Sequence, residues 1–599
     1  MSHTFIPIIP NDTLPNYSKD TFQELIKSND LIKCWQNQKD PIFTIAETNF
    51  EAGLNFLLSW QLWQQHAKPG SQLRYIASSV HPIKLPDLKV MLSAWPEVAK
   101  QAEELIEHYP VLTPGYHHLN FNKGQVQLTL MLGDVETSYE QLLICAEPHL
   151  ELSLRSRAID AWYLKGDESD NLLKIIAMLS QPENQKLERI RQRHTPWHTT
   201  KQVNNSNKSA IVIGAGLAGC FTAHFLAKKG WQVQIIDELP TIASAASGNQ
   251  HAVIFPKLSA YRSPLTQFML SSFLFASQTY RDLFKQHNLG ELSGCLILPH
   301  NNKEIQAQNS LRDWLVNYPE LGRLVSAEEA SSLAGITIKE SGLFIPRSGY
   351  LNTPELCSIL IADERITVLN SKCIKELIYT GSHWQVASFE SETVIIATGN
   401  KLTEFSQTNH LPVKAIRGQI THTAATNESE LLQVPICGEG HVLPVRFGVH
   451  ALGATYSITD VHEHVCAKDD AINLAKRHKL PLETNWSDTV LGHWAGIRAS
   501  APDYLPLVGP APNAEEFNKV FHKLNSNSKR WLPTAGPCHP GLYICAGFGS
   551  RGLSTIPLCA QWLAGFINNE LNCLPRSQIQ ALSPARFLRK EIIRGLSST

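Results

Sequence analysis

The sequence predicts an α/β protein of more than one unit, and three observations carry that expectation. Residues 209–238, SAIVIGAGLAGCFTAHFLAKKGWQVQIIDE, run from an apolar stretch through Gly214-Ala-Gly216-Leu-Ala-Gly219 into a helical stretch ending at Gly230. A second apolar stretch follows and closes with Asp237. Strand, glycine turn, helix and acidic strand end make a complete βαβ dinucleotide unit. Residues 1–180 alternate strand-like and helix-like runs, an α/β pattern of their own. Two later runs, TVIIATGN (393–400) and GLYICAGFGSRG (541–552), are apolar strands that end in glycine turns.

A length of 599 residues is too great for one core and predicts three or four structural units. Hydrophobic residues at 43% and charged residues at 18% mark the chain as globular rather than disordered. With 53 Lys+Arg against 54 Asp+Glu, the net charge of −1 does not favour a nucleic-acid partner, though a local basic patch is compatible with it. The N-terminus, MSHTFIPIIPNDTLP, lacks a basic region and a long apolar run, so no signal peptide is expected. No long apolar run reaches the length of a membrane span. The 12 cysteines are scattered without a CxxC pair, which argues against a zinc or dithiol site and for a reducing cytoplasm.

Three regions follow. In residues 1–180 the runs Ile42–Ala46, Leu73–Ala77, Val126–Leu132 and Ala158–Leu164 alternate with helical ones such as the amphipathic Gly53–His66. Residues 181–208 are polar and read as a linker with basic residues at Lys186, Arg189, Arg191, Arg193 and Lys201. Residues 209–599 form the dinucleotide region, with further strand signals near Gly294–Leu298 and Gly342–Ile345.

Each glycine of the first motif has a physical task. Gly214 allows the tight turn, Gly216 lets the backbone approach a pyrophosphate, and Gly219 lets helix and strand pack closely. The helix N-terminus offers free N–H groups and a positive dipole end to phosphates. Asp237 is placed to accept hydrogen bonds from a ribose. The strand before Gly399 reads as one returning to the nucleotide sheet beneath the cofactor. The turn at Gly549 and Gly552 opens another helix, whose N-terminus faces an anion or a flavin carbonyl. Nicotinamide enzymes rarely need this third contribution, so FAD is expected rather than NAD.

These pieces resemble the D-amino-acid oxidase-like flavoprotein family. The resemblance rests on GAGLAG, Ala246-Ser247-Gly248-Asn249, ATG, Trp494-Ala-Gly496-Ile-Arg498 and Asp503-Tyr-Leu-Pro506-Leu-Val-Gly509. It implies cofactor contacts at Ser247, Gly248 and Asn249. It also implies that Arg498 lies over the flavin and grips a substrate carboxylate, as a planar guanidinium can with two parallel hydrogen bonds. Arg551 is expected to assist or to touch the flavin, and Arg417, in an R-G-Q turn, to be a flavin contact. No sequence feature identifies a general base.

A wider resemblance, to the tRNA 5-methylaminomethyl-2-thiouridine biosynthesis bifunctional protein family, spans both halves. It is carried by IAETNFEAGLNFLLSW (45–60), LMLGDVETSYEQLL (130–143), IDAWYLKG (159–166), ASGNQHAVIFPKLS (246–259), LPVKAIRGQI (411–420), FGSRGL (548–553) and SPARFLRKEI (583–592). It implies a methyltransferase-like Rossmann domain over 1–180 and a two-part FAD-binding oxidoreductase domain over 209–599. It further implies tRNA as partner and removal of the carboxymethyl group from wobble 5-carboxymethylaminomethyl-2-thiouridine. S-adenosylmethionine-dependent methylation of the resulting amine would follow.

The first domain departs from that pattern. The family's loop E-[ST]-G-F-G-x-G-L-N-F is here Glu47-Thr48-Asn49-Phe50-Glu51-Ala52-Gly53-Leu54-Asn55-Phe56, with Asn49 and Glu51 replacing glycines. Ser79 stands where an acid holds the ribose, and Lys165 replaces an acid of the D-A-W-F-L-D-G-F segment. Resemblance ends beyond Ile176, which predicts a truncated sheet. The expectation is a retained domain without methyl transfer, with S-adenosylmethionine binding not favoured. Two other functions remain open on the sequence: a glycine-oxidase-like enzyme for small amines, and a non-catalytic tRNA scaffold. Modest basic stretches at 186–201, at Lys529-Arg530 and at Arg586, Arg589, Lys590 and Arg594 bear on the choice.

Overall fold

The structure, a computed structural model, describes residues 6–8, 31–155, 157–180, 187–190, 192–201, 207–261 and 263–596. The expected absence of a signal sequence falls largely outside the described residues, as do Lys186 and Arg191. The chain divides into two compact units. Unit 1 comprises Met1–Gln202, Lys523–Gly536 and Gly565–Gln580; unit 2 comprises Val203–His522, Pro537–Ala564 and Ala581–Thr599.

Unit 1 is built on β1 (Ile6–Ile8), β2 (Ile42–Glu47), β3 (Gln72–Ser79), β4 (Gly115–Phe121), β5 (Val126–Leu132) and β6 (Ala161–Tyr163). They form one sheet in the order β1-β6-β2-β3-β5-β4. Its pairs are parallel except β4 against β5. All six residues of β2 are buried, as expected for a central parallel strand covered on both faces. The helix Leu54–His66 buries Phe56, Leu57, Trp60 and Trp63. Phe56, Trp60 and Phe121 meet with ring centroids 5.1–5.7 Å apart, joining helix to sheet.

The unit boundaries differ from a division at residues 180 and 208, for side-chain reasons. Arg576 is buried against Glu140 (2.6 Å) and donates to the Glu140 and Leu143 carbonyls. Arg74 pairs with Glu570 at 3.1 Å. Of the expected linker, Pro196, Trp197, His198 and Thr199 are buried. Arg193 lies 4.2 Å over the Trp531 ring, a contact that polar composition does not announce.

Unit 2 has two principal sheets. The nucleotide sheet contains β7 (Ser209–Ile213) and β8 (Gln232–Ile236). Its order is Ile366–Leu369, β8, β7, Val394–Ile396, Cys538–Ala546 and Leu507–Pro512. Only the last pair is antiparallel. Thus the three glycine-ended strands stand side by side, though long stretches of chain separate them in sequence. The helix Leu217–Lys228 stops at Gly230, whose φ of +83° suits glycine. The second sheet has eight strands and ends at one edge in the long antiparallel pair Lys414–Ala424 and Val490–Ser500. Side chains on a strand alternate between faces. Here Gly418 and Ile420 face one way, while Gln419 and Thr421 face the helix Ala467–His478 and donate to Asp470 there (2.8 and 2.7 Å).

Candidate functional site

The glycine-ended strands of the nucleotide sheet and one face of the second sheet enclose a cavity of about 340 Å³. Both sheets belong to unit 2. Gly214, Gly216, Asp237, Ser247, Asn249, Gly399, Gly549, Gly552, Arg498 and Arg551 line it.

At the first turn the glycines do three different things. Gly214 has φ +107°, and a Cβ there would lie 2.5 Å from the Ala397 carbonyl oxygen, so the ATG strand can approach only a glycine. A Cβ on Gly219 would lie 1.8 Å from the Gly214 oxygen, which makes this residue the helix-to-turn contact. Gly219 does not line the cavity. On Gly216 a Cβ would meet only the Ser247 hydroxyl, at 3.2 Å, while the residue itself fronts the cavity. Ser247 Oγ accepts a hydrogen bond from Leu217 N–H at 2.9 Å, at the first turn of the helix. This is a cradle of bare backbone at a helix N-terminus, suited to a pyrophosphate.

Asp237 accepts from the N–H groups of Ala215 (2.5 Å) and Leu239 (2.8 Å), so its carboxylate is fixed at the cavity edge with acceptor capacity left for a ribose. The adjacent Glu238, also on the cavity wall, forms an ion pair with Lys401. Gly399, with φ +58°, opens the short 3₁₀ turn Gly399–Glu404. Gly549, also at +58°, lies 3.2 Å from Ser500 Oγ by its would-be Cβ, and Gly552 opens the helix Gly552–Ile567. Gly248 does not line the cavity; a Cβ there would lie 2.6 Å from Trp494 Nε1, so it seats the tryptophan that does.

Arg498 projects from Val490–Ser500 and donates to Ser550 Oγ (2.9 Å) and the Thr455 carbonyl (3.2 Å). No carboxylate among the described residues pairs with it. Burial lowers its pKa from the usual arginine range. Arg551 is lowered by burial as well, and its buried Nε has no hydrogen-bond partner among the described residues. Two partly desolvated guanidiniums on one cavity, neither ion-paired among the described residues, suit an anion.

Arg417 is elsewhere. It is 3% exposed, pairs with Asp469, and donates to the His462 (2.9 Å) and His464 (2.6 Å) carbonyls. The expected flavin contact is therefore corrected: strand alternation sends residue 417 to the face opposite Gly418. The basic tail is corrected in part, since Arg586 is tied to Asp503 at 2.9 Å and Arg589 is lowered by burial.

Sequence reasoning missed His441, which lines the cavity from a strand of only two residues, too short to leave a periodic signal. Burial first, then the charges of Arg498 and Lys476, hold it down to about 4, so it is neutral at pH 7. It is an uncharged ring on the cavity wall, which the sequence did not reveal. Among the described residues no group of three His, Cys, Asp or Glu side chains is placed to hold a metal ion, and no helix is long and apolar enough to cross a membrane.

In unit 1 Glu51 stands between two of the other departing residues, Asn49 and Lys165. Glu51 takes φ +45°, and its carboxylate accepts from Asn49 Nδ2 at 2.7 Å. Burial raises the Glu51 pKa, and the nearby Lys165 charge opposes that shift. Phe50 is 2% exposed and its ring crowds Gly53, 2.6 Å from a Cβ built there. Glu47 is buried, held by Tyr75 Oη (2.8 Å) and Asn55 Nδ2 (2.7 Å), and burial pushes it up to about 8. Ser79 is 2% exposed, and its carbonyl accepts from Gly133 N–H.

The family model described as FAD dependent oxidoreductase matches residues 209–565. A tRNA 5-methylaminomethyl-2-thiouridine biosynthesis bifunctional protein of Legionella pneumophila strain Corby is 48% identical, over 95% of this chain and 93% of the relative. Its namesake from Chromobacterium violaceum is 34% identical, over 92% and 90%. Among solved structures, glycine oxidase from Geobacillus kaustophilus superposes with a TM-score of 0.50 at 19% identity, covering 60% of this chain and 94% of that one. L-proline dehydrogenase from P. horikoshii also gives 0.50, at 15% identity, covering 65% and 99%. Those two likenesses concern the fold alone.

Proposed function

The chain belongs to the tRNA 5-methylaminomethyl-2-thiouridine biosynthesis bifunctional protein family and is an FAD-dependent oxidoreductase, and on that premise we propose that it removes the carboxymethyl group from 5-carboxymethylaminomethyl-2-thiouridine at the tRNA wobble position. The observation that carries the substrate class is the pair of partly buried guanidiniums on the cavity, Arg498 and Arg551, neither of them ion-paired among the described residues. The substrate side chain is an N-substituted glycine, whose carboxylate is the anion that such a pair holds.

Gly214, Gly216, Asp237, Ser247, Asn249, Gly399, Gly549 and Gly552 are the residues we assign to FAD, with Gly219 and Gly248 acting through packing. Bound FAD supplies the hydride acceptor. Arg498 anchors the carboxylate so that the glycine α-carbon is presented for hydride loss. The nitrogen lone pair forms the C=N bond and the nitrogen's proton leaves to water. Water then adds to the imine carbon and the C–N bond breaks, which yields the aminomethyl nucleoside and glyoxylate.

Methyl transfer we assign as lost. Glu51 accepts from Asn49 and lies near the charge of Lys165, where the family pattern has two glycines and an acid, and its carboxylate adds negative charge there. We place the enzyme in the cytoplasm, consistent with twelve free cysteines.

Mass spectrometry of wobble nucleosides, from cells with and without this chain, tests the function. Loss of the chain should leave the carboxymethylaminomethyl nucleoside to accumulate. Unchanged nucleosides, with turnover of free glycine-like amines by the pure enzyme, would move the assignment to a small-molecule oxidase.

A further inference from the structure

We propose that the loop Tyr456–Val465 is a docking platform for the RNA substrate, on which Tyr456 stacks an anticodon-loop nucleobase next to the modified uridine. This rests on the tRNA reading above and specifies the surface that reading needs.

The Thr455 carbonyl accepts from Arg498 Nη2 at 3.2 Å, so the next residue in the chain stands beside the carboxylate anchor. Ala454 and Glu463, on either side of Tyr456 in sequence, both line the cavity. The loop therefore borders the cavity at its Arg498 end.

Its outward surface mixes polar residues with exposed apolar side chains: Tyr456 is 59% exposed, Ile458 58% and Val465 45%, and of these Tyr456 stands next to the anchor. The loop is held in place, because Arg417 fastens it from the other face of the sheet. Arg417 exchanges backbone hydrogen bonds with Ser457 (2.8 and 3.0 Å) and binds the His462 and His464 carbonyls. An aromatic face is thus presented on a fixed support.

The charges select the kind of contact. Between Thr455 and Ala467 there is no Lys or Arg, while Asp460 and Glu463 are present. Such a loop repels phosphates. It suits the faces of unpaired bases, which stack on aromatic rings regardless of sequence. With the substrate carboxylate on Arg498, the short side chain brings its uracil toward this rim, and a neighbouring base lies next to it.

The test measures turnover of tRNA carrying the substrate nucleoside, and of the free nucleoside, by the full-length wild type and the Tyr456→Ala, Tyr456→Phe and Tyr456→Trp variants. The expected result is a KM for tRNA raised about 5- to 100-fold in Tyr456→Ala, with free-nucleoside turnover within about twofold of wild type. Phe and Trp should restore tRNA use. The Ala defect should persist unchanged between low and moderate salt, since no phosphate contact is lost.

An unchanged tRNA KM in Tyr456→Ala overturns the platform, as does equal damage with both substrates, which would make Tyr456 part of the cavity. A defect that low salt repairs assigns the surface to phosphates and overturns it too. A wild-type dimer in sedimentation that Tyr456→Ala dissolves gives the surface to a second copy instead. Wild-type enzyme active on free amines and inactive on tRNA overturns the function itself, a failure distinct from the others.

Discussion

Arg498 lies across Gly418: a Cβ on residue 418 would sit 2.0 Å from Arg498 Nη2. The two belong to the paired strands Lys414–Ala424 and Val490–Ser500, in which Ile416 faces Arg498 and Gly418 faces Gly496. The side chain missing at Gly418 is the space the guanidinium occupies. Position 418 is therefore tied to the substrate end of the cavity, whereas its neighbour Arg417 is tied to the opposite face.

Arg498→Ala should keep FAD and lose turnover. Removing one partner of a buried charge-assisted contact costs about 2–5 kcal/mol, so the rate on substrate tRNA should fall tens-fold or more. Flavin absorbance and steady-state kinetics on one preparation check both halves. Near-normal turnover would end the carboxylate-anchor assignment.

Gly216→Leu and Gly219→Ala should fail differently. Residue 216 fronts the cavity, with Ser247 as the only neighbour of a Cβ, so the variant should fold and not retain FAD. At 219 even a methyl group would overlap the Gly214 carbonyl at 1.8 Å, so the turn itself must shift and thermal stability should fall. Melting curves together with flavin content separate the two. A Gly216→Leu protein that still purifies yellow would remove the pyrophosphate assignment.

Glu47 should make unit 1 sensitive to alkali. Its folded pKa of about 8 lies above the ordinary 4.5, so the folded state holds a proton that the unfolded chain releases. The stability linked to that proton is full below about pH 4.5 and declines as pH rises, until it is lost above about pH 8. Glu47→Gln mimics the protonated form and can keep the contacts to Tyr75 and Asn55. It should flatten the pH dependence and be the more stable protein at pH 8–9 by an amount on the order of a few kcal/mol. Thermal melts of both proteins from pH 5 to 9 decide it; parallel curves would mean that Glu47 is ionised in the fold.

S-adenosylmethionine should not bind near the micromolar range, and tRNA carrying the aminomethyl nucleoside should acquire no labelled methyl group. Calorimetry and a methyl-transfer assay check this. Label on the tRNA that a Gly53→Trp variant abolishes would show that the loop with Asn49 and Glu51 still works.

Local order alone determined much of this protein. The run from Ser209 to Asp237 could be read as strand, glycine turn, helix and acid because each part is set by near neighbours: apolar continuity, glycine's freedom of φ, and the helix period. The family pattern likewise singled out Arg498, and the replaced residues Asn49, Glu51 and Lys165 were visible as departures. What lay beyond reach depends on which distant strands become neighbours. Only the parallel pairing of β7 with Val394–Ile396, and of that strand with Cys538–Ala546, places the three glycine turns together. Only the pleat of Lys414–Ala424 turns Gly418 to the cavity and Arg417 away from it, a distinction that motif spacing cannot make. His441, on a strand of two residues, and the loop beginning at Tyr456 left no periodic pattern. Their place beside Arg498 follows from sheet register and from the buried arginine that fastens the loop, and both of these are long-range contacts.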